Sequence, residues 1–337
     1  MDKKRMLSAI TTTGQITLGN YIGALKNFVA LQEEFEMYIF VANLHGITVP
    51  IEKDILRKNI KSLVTLYFAC GLDPNKSTVF VQSDVLEHAQ LGWILTCNTT
   101  IGELQRMTQF KDKSTKIKSE NGTEFIPTGL LIYPSLMAAD ILLYDPAFVP
   151  VGKDQKQHIE LTRNIAERMN NKFGEMFSIP QEYTPKLGSK IMDLQDPSKK
   201  MSKSASNPKS YIALLDDLDV VRKKIKSAIT DSENLIKYDP ENKPGVSNLL
   251  TIYSSLTSKT MEEVETHFEG KDYGILKDEV ADVVVELLSK IQTRYNELFN
   301  SQQVDEWLEL GANKARKIAH KKLTKVQNLT GLNYKRK

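Results

Sequence analysis

Met37-Tyr38-Ile39-Phe40-Val41-Ala42 is an unbroken apolar run, and no other stretch limits the fold so much. A strand with one wet face alternates apolar and polar residues. An unbroken run is the pattern of a strand covered on both faces, as in a parallel sheet. Met6-Leu7-Ser8-Ala9-Ile10 and Thr78-Val79-Phe80-Val81 read as two more such strands. Helical repeats separate them. Ile22, Leu25, Phe28 and Val29 recur at helical spacing from Tyr21, and Asp54 to Cys70 carries Ile55, Ile60, Leu63, Leu66 and Tyr67 before Gly71 as C-cap. The order βαβαβ specifies a doubly wound, Rossmann-like parallel α/β domain. Such sheets bind ligands at the C-terminal ends of their strands, where Asn43-Leu44-His45-Gly46 follows the Met37 run.

Farther along, Glu87 to Leu95 is helical, and Lys111 to Pro127 is polar, lysine-rich and contains Asn121-Gly122, the composition of an inserted loop. Leu130 to Leu143 reads as a buried helix and Phe148 to Val151 as a strand. Gly152-Lys153-Asp154-Gln155 turns into a helix over Lys156 to Met169, and Pro180 to Pro185 is loop. From Ser210 the pattern is helical throughout: Ile212 to Asp219, Val220 to Ile229, Val246 to Ser258, Met261 to Phe268, Ile275 to Asn300, and a last helix over about Val304 to Gln327. The expected division is a sheet domain over 1–195 and a helical domain over 196–300, with 301–337 placed to pack back on the first.

The 337 residues, 41% hydrophobic, suffice for two domains. A net charge of +3 does not announce a nucleic-acid binder. After Glu309, however, no acidic residue follows, while Lys314, Arg316, Lys317, Lys321, Lys322, Lys325, Lys335, Arg336 and Lys337 accumulate. Such a tail either meets phosphates, in a salt-dependent way, or is a solvated helix face. Cys70 and Cys97 show no metal spacing and sit in apolar stretches, as reduced core residues of a cytoplasmic protein do. No signal-peptide pattern and no bilayer-spanning run is present, which argues against a membrane partner.

Three local features carry chemistry. Thr17-Leu18-Gly19-Asn20 follows the first strand and a glycine-containing turn, and opens a helix. Backbone N–H groups and the helix dipole there favour anions, although Gly19 also suits plain close packing. Lys200-Met201-Ser202-Lys203-Ser204 sets two ammonium groups three residues apart in a turn-rich loop. Lysine finds phosphate without fixed geometry, but an arbitrary Lys/Ser pentapeptide would be surface loop. Asp140 lies inside an apolar helix, where a carboxylate is costly unless something donates to it. It is either salt-bridged or the acceptor for a polar hydrogen on an apolar substrate. His158 opens a helix and reads better as packed than as catalytic.

These features together resemble one family. K-M-S-K-S is the signature loop of class I aminoacyl-tRNA synthetases, and Thr17-Leu18-Gly19-Asn20 is similar to the T-x-G-N form that the tryptophanyl branch carries in place of H-I-G-H. Gly102 to Lys111, Thr128 to Pro134, Met137 to Leu142 and Val149 to His158 also resemble the bacterial tryptophanyl enzymes, so the likeness spans essentially the whole chain. It implies activation of L-tryptophan by ATP with Mg²⁺ carried on the nucleotide, transfer to tRNA(Trp), tRNA anticodon recognition by the helical domain, and a homodimer. It implies that Asp140 accepts the indole N–H, with Met137, Leu7, His45, Val149 and Val151 around the ring and Tyr133 and Gln155 near the ammonium and carboxylate. It implies an ATP site from Thr11, Thr12, Thr13, Gly19, Asn20, Gly152, Lys153, Asp154, Ile191, Lys200, Met201, Ser202, Lys203 and Ser204, with the backbone near Ile191 and Met192 against adenine. Thr17, Asn20, Lys113, Lys200 and Lys203 are the catalytic set so implied.

The chain departs from the usual family pattern in places. Thr11 and Thr12 stand where glutamine and proline are common, Gly46 where alanine is, Asn43 where aspartate is, and Ala205 follows the lysine loop in place of an aspartate. Losing the proline should loosen the first turn. The competing readings are a tyrosyl-tRNA synthetase, a nucleotidyltransferase of the same superfamily, which would not need the helical half, and a non-catalytic RNA-binding paralogue.

Overall fold

The computed structural model describes residues 3–12, 15–114, 126–152, 155–183 and 190–335. Thr13, Lys153, Asp154 and the side chain of Lys113, all expected at the site, lie outside the described residues, as does 115–125 of the lysine-rich stretch. The chain runs β1 (Arg5–Thr11), α1 (Leu18–Asn20), a π-helical turn (Tyr21–Leu25), α2 (Lys26–Leu31), β2 (Glu36–Ala42), α3 (Asn43–Gly46), α4 (Lys53–Ala69) and β3 (Ser77–Val81). It continues through α5 (Glu87–Thr96), α6 (Ile101–Gln105), α7 (Thr108–Ser114), α8 (Thr128–Leu142), β4 (Phe148–Pro150), α9 (Lys156–Phe173) and β5 (Gln181–Tyr183). The rest is helical: α10 (Leu218–Lys226), α11 (Pro244–Thr257), α12 (Met261–Phe268), α13 (Tyr273–Phe299) and α14 (Gln303–Thr330).

The five strands are parallel, in the order β3-β2-β1-β4-β5. The chain winds outward from β1 in both directions, so β1 and β4 flank the switch point where a crevice opens at the strand ends. The apolar run in β2 is divided between two cores. Met37, Ile39 and Val41 pack with α1, α2 and α4, in a core that continues into the helical half. Tyr38 and Phe40 pack with Leu7, Phe80, α5, α8 and α9 on the opposite face. Both faces are dry, which is why the run does not alternate.

Helix α14 closes the second core with small residues. A Cβ at Gly311 would stand 1.8 Å from the Val79 carbonyl oxygen, so only glycine allows the helix this close to β3. Ala312, Ala315 and Ala319 are buried behind it. Part of the basic tail is engaged within the molecule: Arg316 donates to Asp84 O at 2.6 Å, and Lys322 donates to Met176 O at 2.7 Å and pairs with Asp145.

Several expectations need correction. Gln181–Tyr183 is an edge strand rather than loop; with one flank open it needs no apolar pattern. Residues 111–114 continue α7 instead of starting a loop. Ile212 to Leu214 is extended, not helical: Leu18 N–H donates to Ile212 O at 2.8 Å and Leu214 N–H to Ile16 O at 2.9 Å. Its apolar residues are buried by this pairing, which imitates a helix face in sequence. Helix α10 ends at Lys226, short of Ile229. Cys97 is exposed at the end of α5, while burial pushes the Cys70 thiol up to about 12. Among the described residues no helix is long and apolar enough to cross a membrane.

Candidate active site

A cavity of about 590 Å³ opens at the C-terminal ends of β1 and β4. Leu7, Ala9 and Thr11 of β1 line one side, and Val149, Val151 and Gly152 another. Helix α8 contributes Tyr133, Met137 and Asp140; α3 adds His45, α7 adds Gln109, and Gln155 stands at the start of α9. Leu7, His45, Tyr133, Met137, Asp140, Val149, Val151 and Gln155 thus share one largely apolar cavity of the size that takes a small ligand.

Among the described residues Asp140 is the one buried carboxylate in this wall, 2% exposed. It has three donors. Gln82 Nε2 donates to Oδ1 at 2.7 Å, His88 Nδ1 lies 2.6 Å from Oδ1, and His45 Nε2 lies 2.8 Å from Oδ2. Burial alone pushes the carboxyl up, but the hydrogen bonds from His45 and His88 and the electrostatic pull of those rings outweigh it, holding Asp140 down at about 2. Burial and the nearby Asp140 charge push the Tyr144 hydroxyl up, so it stays a neutral O–H. It lies 2.8 Å from His88 Nε2. The consistent assignment is Tyr144 donating to His88 Nε2 and His88 Nδ1–H donating to Asp140. Asp140 is paired with two histidines rather than with an arginine, and one of them, His45, borders the cavity with it. Gln82 follows β3 and His88 sits in α5, and nothing in the spacing of either marks it as a partner of Asp140.

Tyr133 O–H meets Gln109 Oε1 at 3.2 Å and His158 Nε2 at 2.8 Å. His158 is 2% exposed and packs on the Tyr133 ring, in keeping with the packed reading. Gln109, which sequence reasoning missed, borders both Tyr133 and the cavity.

The two short motifs meet elsewhere along the same edge. The Thr17 hydroxyl and Asn20 form a capping box at α1, with Asn20 N–H donating to Thr17 Oγ1 at 3.2 Å and Thr17 N–H to Asn20 Oδ1 at 3.1 Å. A Cβ on Gly19 would lie 3.5 Å from the Cβ atoms of both Ile191 and Met201, so the glycine motif packs on the base of the lysine loop. Gly19 and Lys200 do not line the cavity; the π-helical turn and α2 that follow Gly19 do, through Ala24 and Phe28. In the loop, Met201 is buried, Lys200, Ser202 and Ser204 are exposed, and Lys203 is half-buried. Burial pushes the Lys203 ammonium below its ordinary value, and among the described residues neither Lys200 nor Lys203 has a carboxylate partner. The backbone N–H and C=O of Met192, a candidate for adenine contact, are both taken by the Asn248 amide.

Two departures from the family pattern turn out to be neighbours. A Cβ on Gly46 would lie 2.2 Å from the Thr12 hydroxyl. Thr12 is 1% exposed, its carbonyl accepts from Asn59 Nδ2 at 3.1 Å, and its hydroxyl has no partner among the described residues. Threonine in the turn and glycine after His45 therefore complement each other in shape. Among the described residues no group of His, Cys, Asp and Glu is arranged to hold a metal ion.

Residues 2–289 match the family described as "tRNA synthetases class I (W and Y)". The chain is 56% identical to a tryptophan–tRNA ligase of Bacillus anthracis, over 98% of this chain and 99% of that one. The crystal structure of tryptophanyl-tRNA synthetase from Mycoplasma pneumoniae superposes with a TM-score of 0.91 at 42% identity, covering 99% of both chains. That of the Campylobacter jejuni enzyme complexed with ADP and tryptophan gives 0.82 at 35% identity, over 97% of this chain and 99% of that one.

Proposed function

The chain belongs to the class I tRNA synthetases for tryptophan and tyrosine, in their bacterial tryptophanyl branch, and from that premise we propose which of its residues carry the reaction. It is a tryptophan–tRNA ligase: it activates L-tryptophan with ATP to tryptophanyl-adenylate and transfers the acyl group to the 3′ end of tRNA(Trp). The observation behind the residue assignment is Asp140, a fully ionised carboxylate in the wall of an otherwise apolar cavity at the sheet's switch point.

In this reading the indole ring lies among Leu7, His45, Met137, Val149 and Val151, with its N–H on Asp140 Oδ2. Tyr133 and Gln155 hold the amino-acid end. The substrate carboxylate is already ionised near pH 7, so its attack on the α-phosphorus needs no general base. Pyrophosphate leaves as the new acyl–phosphate bond forms. The work left to the protein is positioning and stabilising charge on the departing phosphates. Thr11, Thr12, Gly19, Asn20, Gly152 and Met201 form the nucleotide side, the backbone near Ile191 and Met192 lies against the adenine, and Thr17 holds Asn20 through the capping box. Lys200 and Lys203 neutralise the phosphates, assisted by Ser202 and Ser204 and, from outside the described part, by Thr13, Lys113 and Lys153, while Asp154, also outside it, would contact ATP beside Gly152. Mg²⁺ would ride on the nucleotide, adding positive charge where the phosphates gather it.

Amino-acid-dependent ATP–pyrophosphate exchange tests this directly. Tryptophan should support exchange at least ~100-fold better than tyrosine or phenylalanine; a preference for tyrosine would overturn the assignment.

The helical half from 196 to 300 would recognise the anticodon, and the enzyme would work in the cytoplasm as a homodimer, each tRNA spanning two subunits. We place the second copy on the face of Leu86, Trp93 and Ile101, which are 76%, 68% and 65% exposed. Leu86, the N-cap of α5, and Trp93 within it are two turns apart. Sedimentation at micromolar concentration should report a dimer that Trp93→Glu converts to monomer; an unchanged mass would remove this face from the interface.

A further inference from the structure

We propose that Asn248 is a positioning residue for the lysine loop. The segment 191–193 pairs antiparallel with 199–201: Met201 N–H donates to Ile191 O at 3.0 Å and Asp193 N–H to Lys199 O at 2.9 Å. Met192 and Lys200 lie opposite each other between these two bonds. In such a pair the two central residues aim their own N–H and C=O away from the partner strand. Those of Met192 face α11, and Asn248 meets both. Met192 N–H donates to Asn248 Oδ1 at 2.8 Å, and Asn248 Nδ2 donates to Met192 O at 3.0 Å. One side-chain amide thus takes the place of a third strand. Only one orientation of that amide satisfies both bonds.

Asn248 is 4% exposed, followed directly by Leu249 and Leu250 and within about one turn of Val246 and Ile252, all four fully buried. An asparagine is a poor choice for such a helix position unless its amide is needed. Its effect is to fasten the ribbon carrying Lys200–Ser204 to the helical half. The position of the loop is therefore set by that half. Asn248 touches no substrate, and it acts through the loop. This rests on the assignment of Lys200 and Lys203 to the phosphates.

Asn248→Leu keeps the volume and removes both bonds. It should lower kcat of pyrophosphate exchange ~10–100-fold, while the Kd for tryptophan, measured by calorimetry without ATP, stays within ~2-fold. A second variant guards against misfolding. In Asn248→Asp, the ionised carboxylate repels Met192 O, but the neutral acid both accepts and donates as the amide does. Its kcat relative to wild type should therefore rise as the pH falls from about 8 to about 6, because burial raises the acid's pKa, whereas Asn248→Leu should hold a constant ratio. Wild-type kcat in Asn248→Leu, equal losses of kcat and tryptophan affinity, or a flat profile for Asn248→Asp would each overturn the proposal. If Lys203→Ala were also fully active, the phosphate assignment would fall with it; an inactive Lys203→Ala beside an active Asn248→Leu would fault Asn248 alone.

Discussion

Lys203→Ala is expected to slow pyrophosphate exchange by a factor of ~10²–10³, about 3–4 kcal/mol of barrier, and to leave tryptophan binding within ~2-fold. The asymmetry follows from where the ammonium sits. It is half-buried, and burial lowers its pKa because the charged form has lost water without gaining a carboxylate among the described residues. A triphosphate placed beside it would return the missing countercharge. The demand for that charge grows as the bond to the leaving pyrophosphate stretches, so more of the stabilisation appears in the transition state than in the ground state. The tryptophan cavity is lined by other residues and should not register the change. Lys203→Arg keeps the charge but replaces a compact head with a planar fork, and should recover only part of the rate. Equal losses in rate and in tryptophan affinity for Lys203→Ala would remove Lys203 from the phosphate role.

What could be read from residues alone, and what could not, divides along physical lines. The strand β2 announces itself because both of its faces are dry. The cavity-lining set travels in contiguous blocks, such as Met137 to Leu142, so a motif match brings all of it at once. Asp140 could be singled out because a carboxylate inside an apolar helix needs a donor. Its donors could not: Gln82 and His88 are single polar residues in separate elements, brought to it only by the packing of α5 against α8. Strand β5 escaped because an edge strand can be polar, and Ile212 to Leu214 because its apolar spacing also suits a helix. Thr12 and Gly46 each looked like a loss when read separately. Thirty-odd residues apart in sequence, they are in contact in space, and the hydroxyl of one occupies the room left by the missing methyl of the other. Compensation of this kind is a property of the fold and has no local signature.

The donors around Asp140 also change how strongly a substrate without an indole N–H should be refused. Had the carboxylate been bare, such a substrate would leave a buried charge unsatisfied, and rejection could reach ~10⁴–10⁵-fold. Instead Gln82 and His88 occupy Oδ1 and His45 occupies one site on Oδ2. A carboxylate offers about four acceptor sites, so one remains, on the oxygen nearest His45. The indole bond is then a single charge-assisted hydrogen bond, worth ~1.5–3 kcal/mol. An alanine derivative bearing benzothiophene keeps the bicyclic shape and replaces N–H with sulfur. Wild-type kcat/KM in exchange should be ~10–100-fold lower for it than for tryptophan. In Asp140→Ala the three donors lose their acceptor, activity should fall by at least ~100-fold, and the two amino acids should become nearly equivalent in whatever rate remains. The wild-type comparison needs no mutation and so stands even if the variant folds poorly. A wild-type ratio near one would show that Asp140 reads no N–H, and a ratio unchanged by Asp140→Ala would show that another group does.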